Sequence, residues 1–335
     1  MRAVVYRENG PSDVLRLVER PVPEPGSGEV RVRMHLAGVN PTDWKGRASR
    51  PVEFDEEVPG QDGAGVVDAV GAGVDPTRVG ERVWLWLAGH GRPGGTAAEY
   101  TTVPSEQAIT LPDNASFELG ADIGVPFLTA HRTLTVAEHG PAQLAPGALT
   151  GRTVLVAGGA GAVGNAAIQL AGWAGATVLT TVSSPEKAAL AAAAGAQHVI
   201  NYRTQNVVAE VRRIAADGVN TVVEVSPANA GLDADVLAAD GVVAMYAGNE
   251  GDQVTVPLRS MMAINARWQY VLLYTMPDAA KADAISAVTA AAAAGAIDVG
   301  DAVGLPLHRF PLEQAAAAHD AVAGGAIGKV LIEIG

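Results

Sequence analysis

The chain contains no cysteine. That absence removes disulfides, thiolate zinc sites and cysteine nucleophiles together. No apolar run reaches membrane-spanning length, and the alanine-rich run from Ala290 to Ala294 is far too short. The first eight residues, Met1 to Glu8, hold one short apolar run and then charge. This pattern fits neither a signal peptide nor a transit peptide, so a soluble cytoplasmic protein without a membrane partner is expected. Positive charge is also short: 23 Lys and Arg against 36 Asp and Glu give a formal net charge of −13. A nucleic-acid partner is therefore not expected, because such a surface needs a positive field. What is present is ample. With 335 residues, of which 48% are hydrophobic, the chain can build two domains and a sizeable core, and disorder is excluded.

The stretch Val154-Leu155-Val156-Ala157-Gly158-Gly159-Ala160-Gly161-Ala162-Val163-Gly164 organises the sequence. Four apolar residues run into a glycine cluster, and a helical pattern follows from Asn165 to Ala174. A second strand pattern, Ala176 to Val182, comes next. Strand, glycine turn and helix N-terminus in this order hold a pyrophosphate. Glycine permits positive φ and lets backbone approach phosphate oxygens, and the first helical turn offers unpaired N–H groups. Gly158, Gly159, Gly161, Ala162, Val163 and Gly164 are thus candidate cofactor-binding residues.

The first third reads as β structure. Short apolar runs at Arg2–Tyr6, Val14–Glu19, Val30–Leu36, Asp62–Gly73, Arg82–Leu87 and Ala97–Val103 are separated by Gly/Pro turns. This pattern suggests a barrel-like domain. From Thr153 strands alternate with helices: Thr153–Ala157, Ala176–Val182, His198–Ile200, Thr221–Val225, Val242–Met245 and a sixth at Arg267–Tyr274. Such spacing implies a doubly wound parallel sheet of Rossmann type. After Pro277 a helix from Asp278, another from Phe310 and a closing strand, Lys329–Ile334, read as a return to the first domain.

The cofactor type is written at the end of the second strand. An NAD site places Asp or Glu there, on the ribose hydroxyls. Here Thr180-Thr181-Val182-Ser183-Ser184 is followed by Lys187, and the first carboxylate is Glu186, already on a helix. Hydroxyls with a lysine suit a 2′-phosphate, so NADPH is expected. Tyr202 and Arg203 are placed to flank the adenine or that phosphate.

Several segments appear in a telling order: Asn40-Pro41-Thr42-Asp43, Pro59-Gly60-Gln61-Asp62-Gly63-Ala64-Gly65, Gly94-Gly95-Thr96-Ala97-Ala98-Glu99-Tyr100, Leu128-Thr129-Ala130, the glycine loop, Ser183-Ser184-Pro185-Glu186-Lys187 and Asn201-Tyr202-Arg203. Across nearly its whole length the chain resembles the zinc-free quinone oxidoreductase branch of the medium-chain dehydrogenase/reductase family, the zeta-crystallin-like proteins. The resemblance implies a Rossmann domain, residues 126–276, inserted in a GroES-like β-barrel domain made of residues 1–125 and 277–335. It implies Asn40 beside nicotinamide and substrate as the catalytic residue, Thr129 on the carboxamide, and Gly248, Asn249 and Leu273 bordering the same ring. Trp44 and Arg47 are candidate substrate-cleft residues. Zinc-bearing relatives use a cysteine near Val39–Asn40 and Gly-His-Glu where Gly60-Gln61-Asp62 stands, so no metal is expected. Asp43 and Asp62 are expected to bond backbone or arginine rather than to act as acid and base.

Two departures from the family pattern bear on chemistry. Many relatives carry a tyrosine a dozen or so residues after the Asn-Pro motif, and Arg47 to Phe54 holds none. This favours quinone reduction over enoyl reduction, since solvent protonates a reduced quinone. Pro227 stands where glycine is usual. Lys329 is a candidate, left open, for the cation that meets the 2′-phosphate. The expected activity is NADPH-dependent, zinc-free hydride transfer to small quinones or related activated carbonyl or alkene acceptors. The rivals are an enoyl reductase of a biosynthetic pathway and a cofactor-binding protein with a structural or RNA-binding role. A homodimer is expected through Arg267–Tyr274, an uncharged, aromatic edge from Trp268 onward.

Overall fold

Alternation in Val30–Leu36 predicts one buried and one wet face. The computed structural model, which describes residues 1–335, extends this strand to Glu29–Val39 (β3) and buries Val30, Val32 and Met34. The chain divides into two compact units, Met1–Val125 with Pro306–Gly335, and Pro126–Leu305. In the first unit β3 is central. It pairs antiparallel with β4 (Asp62–Val70), β6 (Tyr100–Pro104) and β15 (Lys329–Glu333). β5 (Arg82–Leu85) and β7 (Ala108–Thr110) extend one side of the sheet, and β14 (Leu307–Pro311), parallel to β15, closes the other. β1 (Arg2–Val5) and β2 (Arg16–Glu19) form a separate hairpin. Three helices complete the unit: α1 (Pro41–Ser49), α2 (Phe117–Asp122) and α10 (Ala315–Ala323). Its core gathers Val4, Val32, Val67, Leu85, Val103, Leu312 and Ile332.

The second unit carries six parallel strands: β8 (Thr153–Ala157), β9 (Thr177–Val182), β10 (His198–Asn201), β11 (Val219–Glu224), β12 (Leu237–Met245) and β13 (Arg267–Tyr270). Their order is β10-β9-β8-β11-β12-β13. This is the doubly wound dinucleotide order that the strand-helix alternation predicts. The helices are α3 (Leu128–Leu134), α4 (Ala162–Trp173), α5 (Pro185–Ala193), α6 (Val207–Ile214), α7 (Ala230–Val236), α8 (Leu258–Ala263) and α9 (Asp278–Ala293). None of the chain's helices is long and apolar enough to cross a membrane.

The return to the first unit falls at Pro306, not at Pro277. The intervening stretch is held by the second unit's own side chains. α9 buries Ala284, Ala287, Val288 and Ala291 and packs on α3 and α4. Gln143 Nε2 donates to Ser286 Oγ at 2.9 Å, and Asn165 Nδ2 to the Val303 carbonyl at 2.7 Å. Two further expectations shift. Phe310 lies in β14 rather than opening a helix, because Leu307–Pro311 pairs in register with β15. β13 stops at Tyr270, and Leu273–Thr275 coil into a 3-10 turn.

Candidate cofactor and acceptor site

The turn between β8 and α4 uses each glycine differently. Gly158 has φ 69°, a left-handed conformation that costs other residues strain. A Cβ on Gly159 would lie 2.2 Å from Thr180 Oγ1, and one on Gly164 2.4 Å from the Gly158 carbonyl oxygen. The turn thus packs against β9 and lets α4 approach β8 closely. A Cβ on Gly161 would meet only ordinary contact, its nearest neighbour being 3.5 Å away, and Gly161 is the N-cap of α4. The N–H groups of Ala162, Val163 and Gly164, in the first turn of this twelve-residue helix, have no partner within the helix. They and the dipole suit a pyrophosphate.

At the end of β9, Ser184 caps α5: its Oγ accepts the Lys187 N–H at 3.3 Å. The Ser184 hydroxyl also bonds Glu186 and, with that residue's own backbone N–H, holds this carboxylate below its usual range. Ser183 and Lys187 are half-buried, whereas Tyr202 and Arg203 are exposed after β10. Thr129, on α3, is 6% exposed, and Leu273 is 3% exposed. Gly248 and Asn249 lie in the exposed loop after β12, where the Asn249 N–H donates to Asp252 Oδ2 at 2.7 Å.

Asn40 stands at the N-cap of α1 and is 2% exposed. Its Nδ2 donates to Asp62 Oδ2 at 2.7 Å, and its Oδ1 accepts from Lys329 Nζ at 2.9 Å. Both ends of the carboxamide are therefore fixed. The Asn40 backbone N–H donates to Asp43 Oδ2 at 2.7 Å, which starts the helix. Lys329 Nζ also lies 3.1 Å from Asp122 Oδ1 and 3.8 Å from Asp62 Oδ2. The Val125 N–H donates to both Asp62 oxygens at 2.9 Å.

Small residues make this cluster possible. A Cβ on Gly38 would lie 2.0 Å from the Ala121 carbonyl oxygen, and one on Gly124 2.0 Å from Asp62 Oδ1. Asp43, Asp62 and Asp122 are buried with one ammonium among them. Burial pushes Asp43 up to about 7, eased most by the Asn40 N–H. It pushes Asp62 and Asp122 up to about 6, each eased by the Lys329 charge. Lys329, 1% exposed, is committed here and is not free for a 2′-phosphate. Asp62 bonds an amide, a backbone N–H and a lysine rather than an arginine.

Arg47 does not sit as a free cleft residue. It is 3% exposed, and its Nη1 donates to the Gly10 carbonyl at 2.6 Å. Its burial against α10, near Asp320 and His319, lowers its pKa. It pins α1 to the N-terminal segment. Trp44 stays half-buried, with Lys45 Nζ 5.9 Å from its ring centroid.

A second acidic pair escapes sequence reading. Glu224, at the end of β11 and 1% exposed, accepts the N–H groups of Val225 and Ser226 at 2.8 and 2.6 Å and Asn229 Nδ2 at 3.0 Å. Asp233 of α7 is fully buried beside it and meets no other donor. Burial first, and the Glu224 charge second, push Asp233 up, which favours its protonated form beside the Glu224 carboxylate. Pro227 costs nothing here, because this clamp uses the N–H groups before it. No group of three or more His, Cys, Asp or Glu side chains is arranged to hold a metal ion.

Comparison with known proteins agrees with this architecture. The family model described as "Alcohol dehydrogenase GroES-like domain" matches residues 26–113, and that described as "Zinc-binding dehydrogenase" matches residues 162–299. Human quinone oxidoreductase is 30% identical over 340 residues, covering 99% of this chain and 97% of its own. The structure of an NAD-dependent alcohol dehydrogenase superposes with a TM-score of 0.84 at 30% identity, covering 100% of both chains. That of a mycobacterial protein complexed with NADPH gives 0.79 at 30% identity, covering 99% of this chain and 100% of the other. The chain belongs to the medium-chain dehydrogenase/reductase family, among the relatives of quinone oxidoreductase, with a GroES-like unit and a Rossmann unit.

Proposed function

We propose that this protein is an NADPH-dependent, zinc-independent oxidoreductase that reduces quinones or related activated carbonyl or alkene acceptors. The observation that carries the reading is the pairing of the β8–α4 glycine turn with a carboxylate-free β9 end, Ser183-Ser184, beside Lys187. The relatives divide between NAD and NADPH, so the choice rests on these residues of this chain. Asp or Glu at that strand end would repel a 2′-phosphate, whereas Lys187 attracts it.

When bound, the reduced nicotinamide supplies a hydride. The chain's own residues bind and orient. The N–H groups at the start of α4 would hold the pyrophosphate, and Thr129, Gly248, Asn249 and Leu273 are the residues that would border the ring. Asn40 presents an amide whose rotation Asp62 and Lys329 prevent, which is the pre-organisation a residue acting on the acceptor would need. Zinc independence is supported by the donor set where zinc relatives carry ligands. Asn40, Gln61 and Asp62 offer neither thiolate nor imidazole, and the Lys329 ammonium already occupies the neighbourhood.

NADPH absorbance with a panel of quinones, enones and enoyl thioesters tests the reading. Quinones are expected to turn over, and turnover is expected to survive dialysis against a chelator. Lys187→Ala is expected to weaken NADPH by about 1–3 kcal/mol and to leave NADH nearly unchanged. Asn40→Ala is expected to lower turnover more than cofactor affinity. Equal weakening of both cofactors by Lys187→Ala would remove the NADPH assignment. Rates on enoyl thioesters far above those on quinones would move the chain to the enoyl reductases.

A further inference from the structure

The first unit holds a cavity of about 90 Å³ to which the cofactor reading gives no role. Tyr6, Gly46, Arg50, Glu57, Gln61 and Arg92 are among its lining residues. An apolar cavity of roughly 150 Å³ is known to take a benzene ring. This one is too small for a whole quinone but has room for a carboxylate or sulfonate group.

Its walls offer unmet donors. Arg92 is half-buried. Its Nη2 donates to the Leu87 carbonyl at 3.3 Å and to Gln107 Oε1, while its Nη1 is buried and bonds nothing. Glu29 and Glu106 act on Arg92 only from a distance, and burial lowers its pKa, as befits a cation short of partners. Arg50 folds back over α1: a Cβ on Gly46 would lie 2.3 Å from its terminal nitrogen, so glycine at that position lets the guanidinium reach the cavity wall. Gln61, 8% exposed, adds a carboxamide, whose Nε2 is the group able to donate to an anion. The acids nearby do not neutralise these cations. Glu53 and Glu57 line the cavity and bring negative charge, but neither forms an ion pair with Arg50 or Arg92: Glu57 accepts instead from the Tyr6 phenol and from the Glu53 N–H at 2.7 Å, and Glu53 is exposed to water. A buried guanidinium N–H without an acceptor is costly, and an entering anion removes that cost.

We propose that this cavity is an anion subsite, in which a carboxylate or sulfonate carried by the acceptor takes the Arg92 Nη1–H and meets the charge of Arg50. The proposal rests on the reductase reading above, and its test separates the two.

Binding is measured by equilibrium dialysis without NADPH, using naphthoquinone sulfonate and uncharged naphthoquinone. The chain has no cysteine, so no thiol adds to either quinone. Arg92→Gln is expected to weaken the sulfonate by about tenfold or more, the effect of losing a charge-assisted hydrogen bond, and the uncharged ring far less. Arg92→Lys is expected to recover part of the loss. Arg50→Gln, at an exposed position, is expected to give the same selective loss and serves if Arg92→Gln does not fold. Equal weakening of both quinones, or an unchanged sulfonate in the folded variants, overturns the subsite. So does inorganic sulfate displacing the sulfonate with equal affinity, since the site then takes any free anion. Selective binding with no NADPH oxidation by any quinone keeps the subsite and removes the reductase reading. Turnover of quinones with unselective binding does the reverse.

Discussion

At the scale of single residues, Lys329 carries the most consequence. It is buried with Asp62 and Asp122 and fixes the Asn40 amide from 289 residues away in sequence. Removing one partner of such a buried group leaves charge uncompensated, so Lys329→Met is expected to cost about 3–5 kcal/mol at neutral pH. The pH dependence has a definite sign. Asp62 and Asp122 have pKa values raised by burial to about 6, so their contribution to stability is present below the unfolded value and lost as pH rises through about 6. Lys329 opposes that loss, and without it both pKa values climb further. The variant's deficit in urea unfolding is therefore expected to be larger at about pH 8 than at about pH 5. A deficit equal at both would show that Lys329 acts by packing alone. The link is not legible in sequence, where Lys329 reads as an open candidate for the 2′-phosphate and nothing ties it to Asn40. Arg47 misleads for the same reason: charge predicts exposure, and only the Gly10 carbonyl, brought near by the fold, explains its burial.

At the scale of elements, legibility follows the range of the forces involved. β8 and its glycine turn read directly, because strand pattern, turn and helix cap all lie within about a dozen residues. β7 and β14 were not legible, because each exists through its neighbour, β5 for one and β15 for the other. The junction of β11 and α7 belongs to the same class. Glu224 and Asp233 look like two ordinary acids, yet burial joins them through one proton. The Asp233 pKa is raised, to about 9, so the stability it contributes is full below its unfolded value and lost as pH rises through about 9. Tyr246, which also feels the Glu224 charge, is pushed up as well and adds no cation. Asp233→Asn keeps a donor toward Glu224 and cannot ionise. The variant's thermal midpoint is expected to stay level from about pH 4 to about pH 9, the span between the unfolded and folded values over which the wild type falls. Parallel curves for the two proteins through that range would mean that the carboxyls do not share a proton.

At the scale of the whole molecule, the open question is what covers β13. It is the last strand of its sheet and pairs with β12 alone. The Val271 N–H continues that pairing by donating to the Met245 carbonyl at 2.8 Å, so by alternation the backbone groups of Tyr270 face outward. The Tyr270 carbonyl indeed takes only a side-chain N–H, from Gln269 at 2.8 Å. Charge guards the strand's start, where Arg267 pairs with Glu138. Beyond it the guard fails: Tyr270 is 60% exposed and Leu272 53%. On α8, which leads into this strand, Leu258 and Met262 stand one turn apart and are 72% and 61% exposed. An unprotected edge flanked by apolar side chains invites strand pairing. A second copy about a two-fold axis satisfies it with the same surface twice, so we expect a homodimer through β13. The paired part is shorter than Arg267–Tyr274, because the chain turns away at Leu273. Proline at Val271 would break the β12 bond inside one chain and so would not isolate the edge. Tyr270→Glu is the cleaner probe, since the side chain is exposed in the monomer and a charge there opposes edge pairing. Light scattering at micromolar concentration is expected to give a dimer for the wild type and a monomer, with unchanged circular dichroism, for the variant. A wild-type monomer would defeat the dimer, and a variant that remains dimeric would place the interface elsewhere.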